Sequence, residues 1–322
     1  MLKKKSSIIS LGLVIVILLS LFISGKPLLT LRNPWVVADQ NKKINAKDIK
    51  IGVSLSTMNN PFFISVADGI KAEAKNQGVK GLIIDDGKND TSKQSNDIED
   101  LIQQQVDVLI INPVDSDAVT PEVKEANQAG IPVITIDRSS TGGKVLSLVS
   151  SDSVLAGKMA ADFMFKAVGQ NAKVAELQGT PGASAARDRG KGFEEASKGK
   201  LNIVAKQTAN FDRSQGLSVA ENIIQGHTDL KGIFAQNDEM ALGTAQAVNG
   251  NNIVIIGIDG EADGLAAVKS GKMSATVAQH PEEMGKLAVQ TVIKHFKGKK
   301  VAKWTKSPVA LVVNDKYKNL IK

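Results

Sequence analysis

The sequence predicts an α/β protein of two Rossmann-like lobes, each a parallel sheet flanked by helices, with a ligand cleft between them. Three observations predict it. From Ile51 onward, short β-branched runs alternate with amphipathic stretches of helical spacing, the pattern of βαβ units. The chain has 322 residues, more than the about 250 to 300 at which a single hydrophobic core stops growing. The polar residues that end the strands also recur. Asn112-Pro-Val-Asp115 is followed by Asp137-Arg138, with 25 positions from Asn112 to Asp137, and Gln236-Asn237-Asp238 is followed by Asp259-Gly260, with 22 from Asn237 to Asp259.

In chain order, the first half predicts strands at Ile51 to Leu55, Gly81 to Asp85, Val106 to Ile111, Pro132 to Ile136 and Val145 to Val149. Between them Phe63, Val66, Ile70 and Ala74 share one helix face, as do Ile98, Leu101 and Ile102 on the next. The second half repeats the cycle, with strands at Lys173 to Leu177, Leu201 to Lys206, Gly232 to Ala235, Ile253 to Ile258 and Met273 to Val277. Its helices are expected to start near Arg187, Gln215, Glu239, Ala262 and Glu282.

Ligands of open parallel sheets bind outside the carboxyl ends of the strands. Those ends carry Ser56, Asn60, Asn112, Asp137, Arg138, Asn237, Asp259 and Gln279, with Arg189 at a helix start. Asp accepts, Arg donates in a fork, and Asn or Gln does both, a mixture suited to vicinal hydroxyls. Anion chemistry lacks its usual support, because Gly179-Thr-Pro-Gly182 has no Gly-Lys-Ser/Thr ending and no G-x-G-x-x-G occurs. Asp or Asn after a strand is commonly a helix cap or turn former. Recurrence in both halves argues for a ligand as well. Phe62 and Phe63 follow Asn60-Pro61 at a strand-to-helix junction, and two consecutive rings are not expected to face one core, which turns one of them to the cleft.

Composition excludes several classes. The net charge of +7 suggests nucleic acid until it is located. Residues 1–38 hold Lys3, Lys4, Lys5, Lys26 and Arg32 and no acid; setting those five aside leaves 35 basic against 33 acidic residues. The excess therefore belongs to the leader, and no nucleic-acid partner is expected. Cysteine is absent, which removes disulfides, thiolate metal sites, a thiol nucleophile and an N-terminal lipid on cysteine. No enzyme is expected. His227, His280 and His295 flank no plausible nucleophile and lack metal spacing, and Ser184 in Gly182-Ala-Ser-Ala is not a nucleophile elbow. Asp137 and Asp259 form a carboxylate pair, but Arg138 is expected to hold its neighbour ionised, a poor general acid. Asp85-Asp86 and Asp259 to Asp263 read as solvated loops without calcium-ligand alternation. No cofactor or metal is expected.

Six ordered stretches resemble the ribose-binding, periplasmic-type sugar receptors, the substrate-binding proteins of sugar ABC transporters: Ser56 to Phe63, Ile111 to Ala118, Ile131 to Arg138, Ser184 to Phe193, Asn210 to Arg213 and Phe234 to Gly243. The resemblance spans Ile49 to Val313. It implies two lobes joined by a three-segment hinge with crossings near Ser151, Gln279 and Ser307. The lobes would be 48–151 plus 280–307, and 152–279 plus 308–322. It further implies hydroxyl hydrogen bonds from Asn60, Asn112, Asp137, Arg138, Arg189, Asn237, Asp259 and Gln279, with Ser56 beside them and aromatic walls from Phe62, Phe63 and Phe211. The implied partners are a monosaccharide, ribose or a close relative, and a membrane permease, with a chemoreceptor for some members; a monomer is expected. The chain departs from the pattern at Ile258, where the ribose receptors carry an aromatic, so the apolar wall would lose a stacking face. A membrane-tethered sensor for another polyol or quorum signal, and the core of a sugar-responsive repressor, are the alternative readings.

After Lys3-Lys4-Lys5, the twenty residues Ser6 to Gly25 carry no charge. A basic flank before an apolar stretch marks an extracytoplasmic protein with either a signal peptide or an N-terminal anchor over 1–25, followed by a tether over 26–47. The only small-residue cleavage site, Val36-Val37-Ala38, lies thirteen residues past the apolar core at Ile23. That distance favours retention. The intact mass of protein from its native host is expected to include residues 1–38, and a mass lacking them would identify cleavage.

Overall fold

The computed structural model describes residues 45–248 and 252–320. The leader over 1–25 and the tether as far as residue 44 lie outside the described residues, and the tether's last residues enter a short 3-10 turn at Ala46–Asp48. Among the described residues no helix is long and apolar enough to cross a membrane.

The described residues build two six-stranded sheets. The first contains β1 (Lys50–Leu55), β2 (Gly81–Asp86), β3 (Val108–Ile111), β4 (Val133–Ile136), β5 (Val145–Ser151) and β11 (Trp304–Ser307), in the spatial order β11-β5-β4-β3-β1-β2, all parallel. Its helices are α1 (Pro61–Asn76), α2 (Thr91–Gln103), α3 (Thr120–Gln128) and α9 (Pro281–Phe296). In β3, Val108 and Ile110 face a core shared with α1 and α9, while Leu109 and Ile111 face one shared with α2 and α3. A strand covered on both faces reads as an unbroken apolar run.

The second sheet contains β6 (Lys173–Gln178), β7 (Asn202–Thr208), β8 (Gly232–Ala235), β9 (Val254–Asp259), β10 (Ala275–Ala278) and β12 (Ala310–Val313), in the order β12-β10-β9-β8-β6-β7. Only β12 runs antiparallel. Helices α4 (Ser153–Val168) and α5 (Ser184–Ser197) cover one face, and α6 (Arg213–Gly226), α7 (Asp238–Ala247) and α8 (Ala262–Ser270) the other. The chain passes between the sheets three times, after β5, after β10 and after β11. This is the two-lobe α/β architecture the alternating pattern predicts.

Two details depart from the sequence reading. Strands β11 and β12 carry no sequence signal, being four-residue edge strands split by Ser307-Pro308 with partly exposed side chains. Helices α5, α6, α7 and α9 start one to three residues earlier than the expected positions. For α6 and α7 the cap supplies the reason: Asp212 accepts from Gln215 N at 2.9 Å and Asn237 from Met240 N at 3.0 Å, closing the first turn before the apolar periodicity begins.

Each helix pair that braces the cleft meets through a glycine on both sides. A Cβ at Gly69 of α1 would strike the Glu282 carbonyl of α9, and one at Gly285 the Val66 carbonyl. The same reciprocity joins Gly157 of α4 to Gly192 of α5, and Gly216 of α6 to Gly243 of α7. At Gly157 the obstacle is the carbonyl of Arg189, so this seam also positions a cleft residue. Overpacking a tight core costs roughly 1–3 kcal/mol. Gly157→Ala is expected to lower the urea midpoint by a corresponding amount and to weaken ligand binding along with it, whereas an unchanged midpoint would show that the helices separate freely.

Candidate functional site

The carboxyl ends of both sheets converge on a chamber of about 250 Å³ lined by Asn60, Phe62, Phe63, Asp137, Arg138, Ala185, Arg189, Phe211, Asn237 and Asp259. The first lobe supplies the β1–α1 junction and the residues after β4, and the second supplies α5, the residues after β7 and β8, and the end of β9. Polar groups set between aromatic rings suit one small polyhydroxy ring. A second cavity, at the loops after β1, β2, β6 and β7, shares Asn60, Phe63, Arg138 and Phe211 with the chamber and gives it a mouth.

Local structure explains how each side chain is presented. Asn60 caps α1 by accepting from Phe62 N at 2.8 Å, with Pro61 at the first helical position, which leaves its amide NH₂ for the chamber. Asn237 caps α7 in the same way and donates to Phe211 O at 3.3 Å. The bland cap reading and the ligand reading are therefore compatible, because each asparagine has two ends. Three lining residues, Asp137 (φ 62°), Phe211 (φ 59°) and Asp259 (φ 138°), occupy backbone regions that favour glycine. Such strain costs about 1–3 kcal/mol per residue and persists only where the surroundings enforce it. At Asp137 a tight turn enforces it, with Arg138 N donating to Ile136 O at 2.6 Å. At Asp259 the enforcement comes from Asp238, which the sequence showed only as part of a strand-end run. Its fully buried carboxylate accepts from Gly260 N at 2.8 Å, Glu261 N at 3.0 Å and Thr276 Oγ1 at 2.7 Å.

The chamber floor holds two opposed ion pairs. Arg138 Nε lies 3.8 Å from Asp137 Oδ2, and Arg189 Nη2 lies 3.4 Å from Asp259 Oδ1. All four side chains are buried, so each guanidinium is set beside a carboxyl group away from water. The guanidiniums are held from behind, Arg138 by the carbonyls of Pro113 and Val114 and Arg189 by that of Gln236. The Nε of each makes no hydrogen bond among the described residues. Both arginines stack on rings: Arg138 lies 5.2 Å from Phe63 and 5.5 Å from Phe211, and Arg189 lies 5.7 Å from Phe211. Burial dominates the electrostatics. It pulls Arg138 down to about 10 and, with Asp238 and Asp137 nearby, pushes Asp259 up to about 8 against the pull of Arg189. Asp137 also rises, because burial outweighs Arg189 and Arg138, each of which pulls it down.

Of the twelve candidate ligand residues, Ser56, Asn112 and Gln279 do not line the chamber. Asn112 is a strut: its oxygen accepts from Ser56 N at 3.2 Å and its NH₂ donates to Ile136 O at 2.9 Å. Gln279 donates to Asp259 Oδ1 at 2.8 Å. Ala185 lines the chamber without any sequence signal. Both Phe62 and Phe63 line it, edge to face at 5.3 Å, while also joining the first core, so the argument that only one could turn inward fails. Ile258 is fully buried in the second lobe's core and forms no part of the wall. The Asp259 to Asp263 run is not a solvated loop either. Glu261 is buried, and burial beside Asp259, Asp238 and Glu239 pushes its carboxyl well above the usual range. Among the described residues no group of three or more His, Cys, Asp or Glu could hold a metal ion.

The sequence matches the periplasmic binding protein domain over residues 51–300. The chain belongs to that family. It is 54% identical over 269 residues to the ribose import binding protein RbsB of Bacillus subtilis (strain 168), covering 83% of this chain and 88% of that protein. It is 47% identical over 270 residues to the protein of the same name from Escherichia coli (strain K12), covering 83% and 90%. A solved ABC transporter solute binding protein from Mycobacterium smegmatis, with bound glycerol, superposes with a TM-score of 0.79 at 36% identity, covering 85% of this chain and 97% of that one. As a periplasmic binding protein the chain is a binding protein rather than an enzyme, and the chamber lies where its two lobes meet.

Behind the chamber, Gln236 donates to Glu176 Oε1 at 2.7 Å and accepts from Gly179 N at 2.8 Å. Glu176 is fully buried, its other oxygen has no partner, and burial pushes it from 4.5 up to about 7. A carboxyl raised in the folded state binds more protons there than when unfolded, so its contribution to stability is present below about pH 4.5 and is lost as pH rises through 7. Glu176→Gln is expected to raise the Tm by a few degrees at pH 8 and to leave it unchanged at pH 4.5. Equal effects at both pH values would show that Glu176 does not titrate in this range.

Proposed function

We propose that this protein captures D-ribose outside the cytoplasm and delivers it to an ABC permease. The observation that carries this reading is the chamber itself, in which two aspartates, two arginines and two asparagines face one another between phenylalanine rings. The names of the relatives at 54% and 47% identity support ribose in particular. The lobes are assigned as 48–151 plus 280–307, and 152–279 plus 308–322. Each ribose hydroxyl would find a donor and an acceptor, with Asp137 and Asp259 accepting, the free Arg138 and Arg189 Nε groups donating, and the rings covering C–H faces. Ser56, Asn112 and Gln279 would act behind this layer. The protein works as a monomer, held at the membrane by its N-terminal segment, and a chemoreceptor is a further partner.

Micromolar capture requires about −8.2 kcal/mol. Spread over the ten heavy atoms of a pentose this is about −0.8 kcal/mol per atom, within the ceiling of about −1.5 for very small ligands, and it demands near-complete enclosure. Hinge closure provides that enclosure, and the closed form is the one a permease would read.

A thermal-shift panel of pentoses and hexoses tests the ligand, since ligand at about 100 times Kd stabilises by about 2.7 kcal/mol. Ribose is expected to give the largest shift, and a shift with allose but none with ribose would overturn the assignment. Arg138→Ala is expected to weaken ribose binding by at least about 100-fold while the fold is kept, because it removes charged hydrogen bonds and strands Asp137. Unchanged affinity would place the site elsewhere.

A further inference from the structure

Beside the chamber, but outside it, the two lobes touch directly. Ser116 N donates to Gly182 O at 3.1 Å, Ser184 N donates to Ser116 Oγ at 3.2 Å, and Ser139 N donates to Ser184 Oγ at 2.9 Å. Ser116 and Ser139 follow β3 and β4 of the first lobe, whereas Gly182 and Ser184 form the turn into α5 of the second. None of these residues lines the chamber. Ser116 and Ser184 are buried at 0% and 6% exposure, so the contact excludes water. The fit is close on the backbone as well: Gly182 has φ +86°, and a Cβ there would overlap the Asp115 carboxylate.

The seam also completes a helix. The N-cap residue of α5 is Ala183, which has no side-chain acceptor, so the helix cannot cap itself. Its first amide, Ser184 N, is satisfied by a hydroxyl from the opposite lobe. The first two turns of this helix carry Ala185 and Arg189 into the chamber. Closing the lobes thus satisfies a helix terminus that opening leaves to solvent.

We propose that Ser116 and Ser184 are affinity-determining residues that act without touching the ligand, as an interlobe latch that sets how much of the receptor is closed. This rests on the two-lobe sugar-receptor reading above. If the binding-competent state is closed, the apparent Kd of every ligand is the intrinsic value divided by the closed fraction. A latch residue then scales all affinities by one factor. A chamber residue instead changes them unequally, because each sugar presents different hydroxyls to it.

The experiment compares the full chain with its S116A/S184A variant by calorimetry with D-ribose and with D-allose. Since the chain has no cysteine, Ala72→Cys on α1 and Ala266→Cys on α8, both exposed, allow spin labels to report the interlobe distance with and without sugar. The variant is expected to bind both sugars about tenfold more weakly by the same factor, to release them faster, and to show a larger open population without sugar. Gly182→Ala is expected to shift the distances further towards open, by placing a methyl against Asp115. Unchanged affinity would overturn the latch, and so would unequal factors for the two sugars, which would assign the serines to recognition. If the parent chain binds neither sugar, the ribose reading fails, and the sugar-free distances still decide the latch: a more open variant supports it, and identical distributions overturn it.

Discussion

Two aspartates on opposite lobes, each with its own arginine, are brought together out of water, and most of the surrounding architecture answers to that constraint. An ion removed from water carries an effective penalty of several kcal/mol, repaid only by good pairing and further hydrogen bonds. Here the pairs are loose, at 3.8 and 3.4 Å, and the arginines are steadied from behind by backbone carbonyls. Loose pairs keep hydrogen-bonding capacity pointed at the chamber. The strained turns at Asp137 and Asp259, the Asn112 and Gln279 struts and the Asp238 clamp all hold these four groups at that separation. Donors and acceptors set side by side make the site a good host for hydroxyls, which donate and accept at once.

Such a site needs rigid walls and a movable gap. The walls are rigid because the glycine seams let α1 meet α9, α4 meet α5 and α6 meet α7 at backbone contact, with no long side chains between them to shift. The gap can move because the lobes share only the three chain crossings and the contacts across the cleft. Burial strengthens the electrostatics of the closed form, so the same desolvation that raises Asp137 and Asp259 also makes each hydrogen bond to them worth more.

Much of the fold was legible because strands such as β3 are covered on both faces and spell continuous apolar runs, while helices such as α1 show a single apolar stripe. Strands β11 and β12 were not legible: four-residue edges buried on one side at most leave no period to detect. The site was legible as a set of strand-end residues and less so in its layers. Position after a strand identifies Asn112 and Asn237 equally, yet one is a strut and the other a wall, since the direction of the side chain depends on the neighbouring turn. Glu261 reads as a surface acid because its burial follows from a clamp by Asp238, more than twenty positions away. The rise of Asp137 is similarly non-local: sequence places Arg138 beside it, whereas the burial that outweighs it follows from the folded chamber. Ser184 read as a failed nucleophile at the start of a family-like stretch, with nothing to join it to Ser116, 68 positions upstream.

The order in which the chain visits the two sheets governs when each can be finished. The first lobe's edge strand, β11, pairs with β5, Trp304 beside Leu148, and α9 returns to pack on α1 after β6 to β10 of the second lobe have been laid down. Contacts of such long range make folding slow, because loop closure must precede the reward. Neither lobe closes its core until nearly the last residues have emerged. A chain that stays incomplete for so long remains threadable, the condition a protein must meet if it is to cross a membrane before it folds.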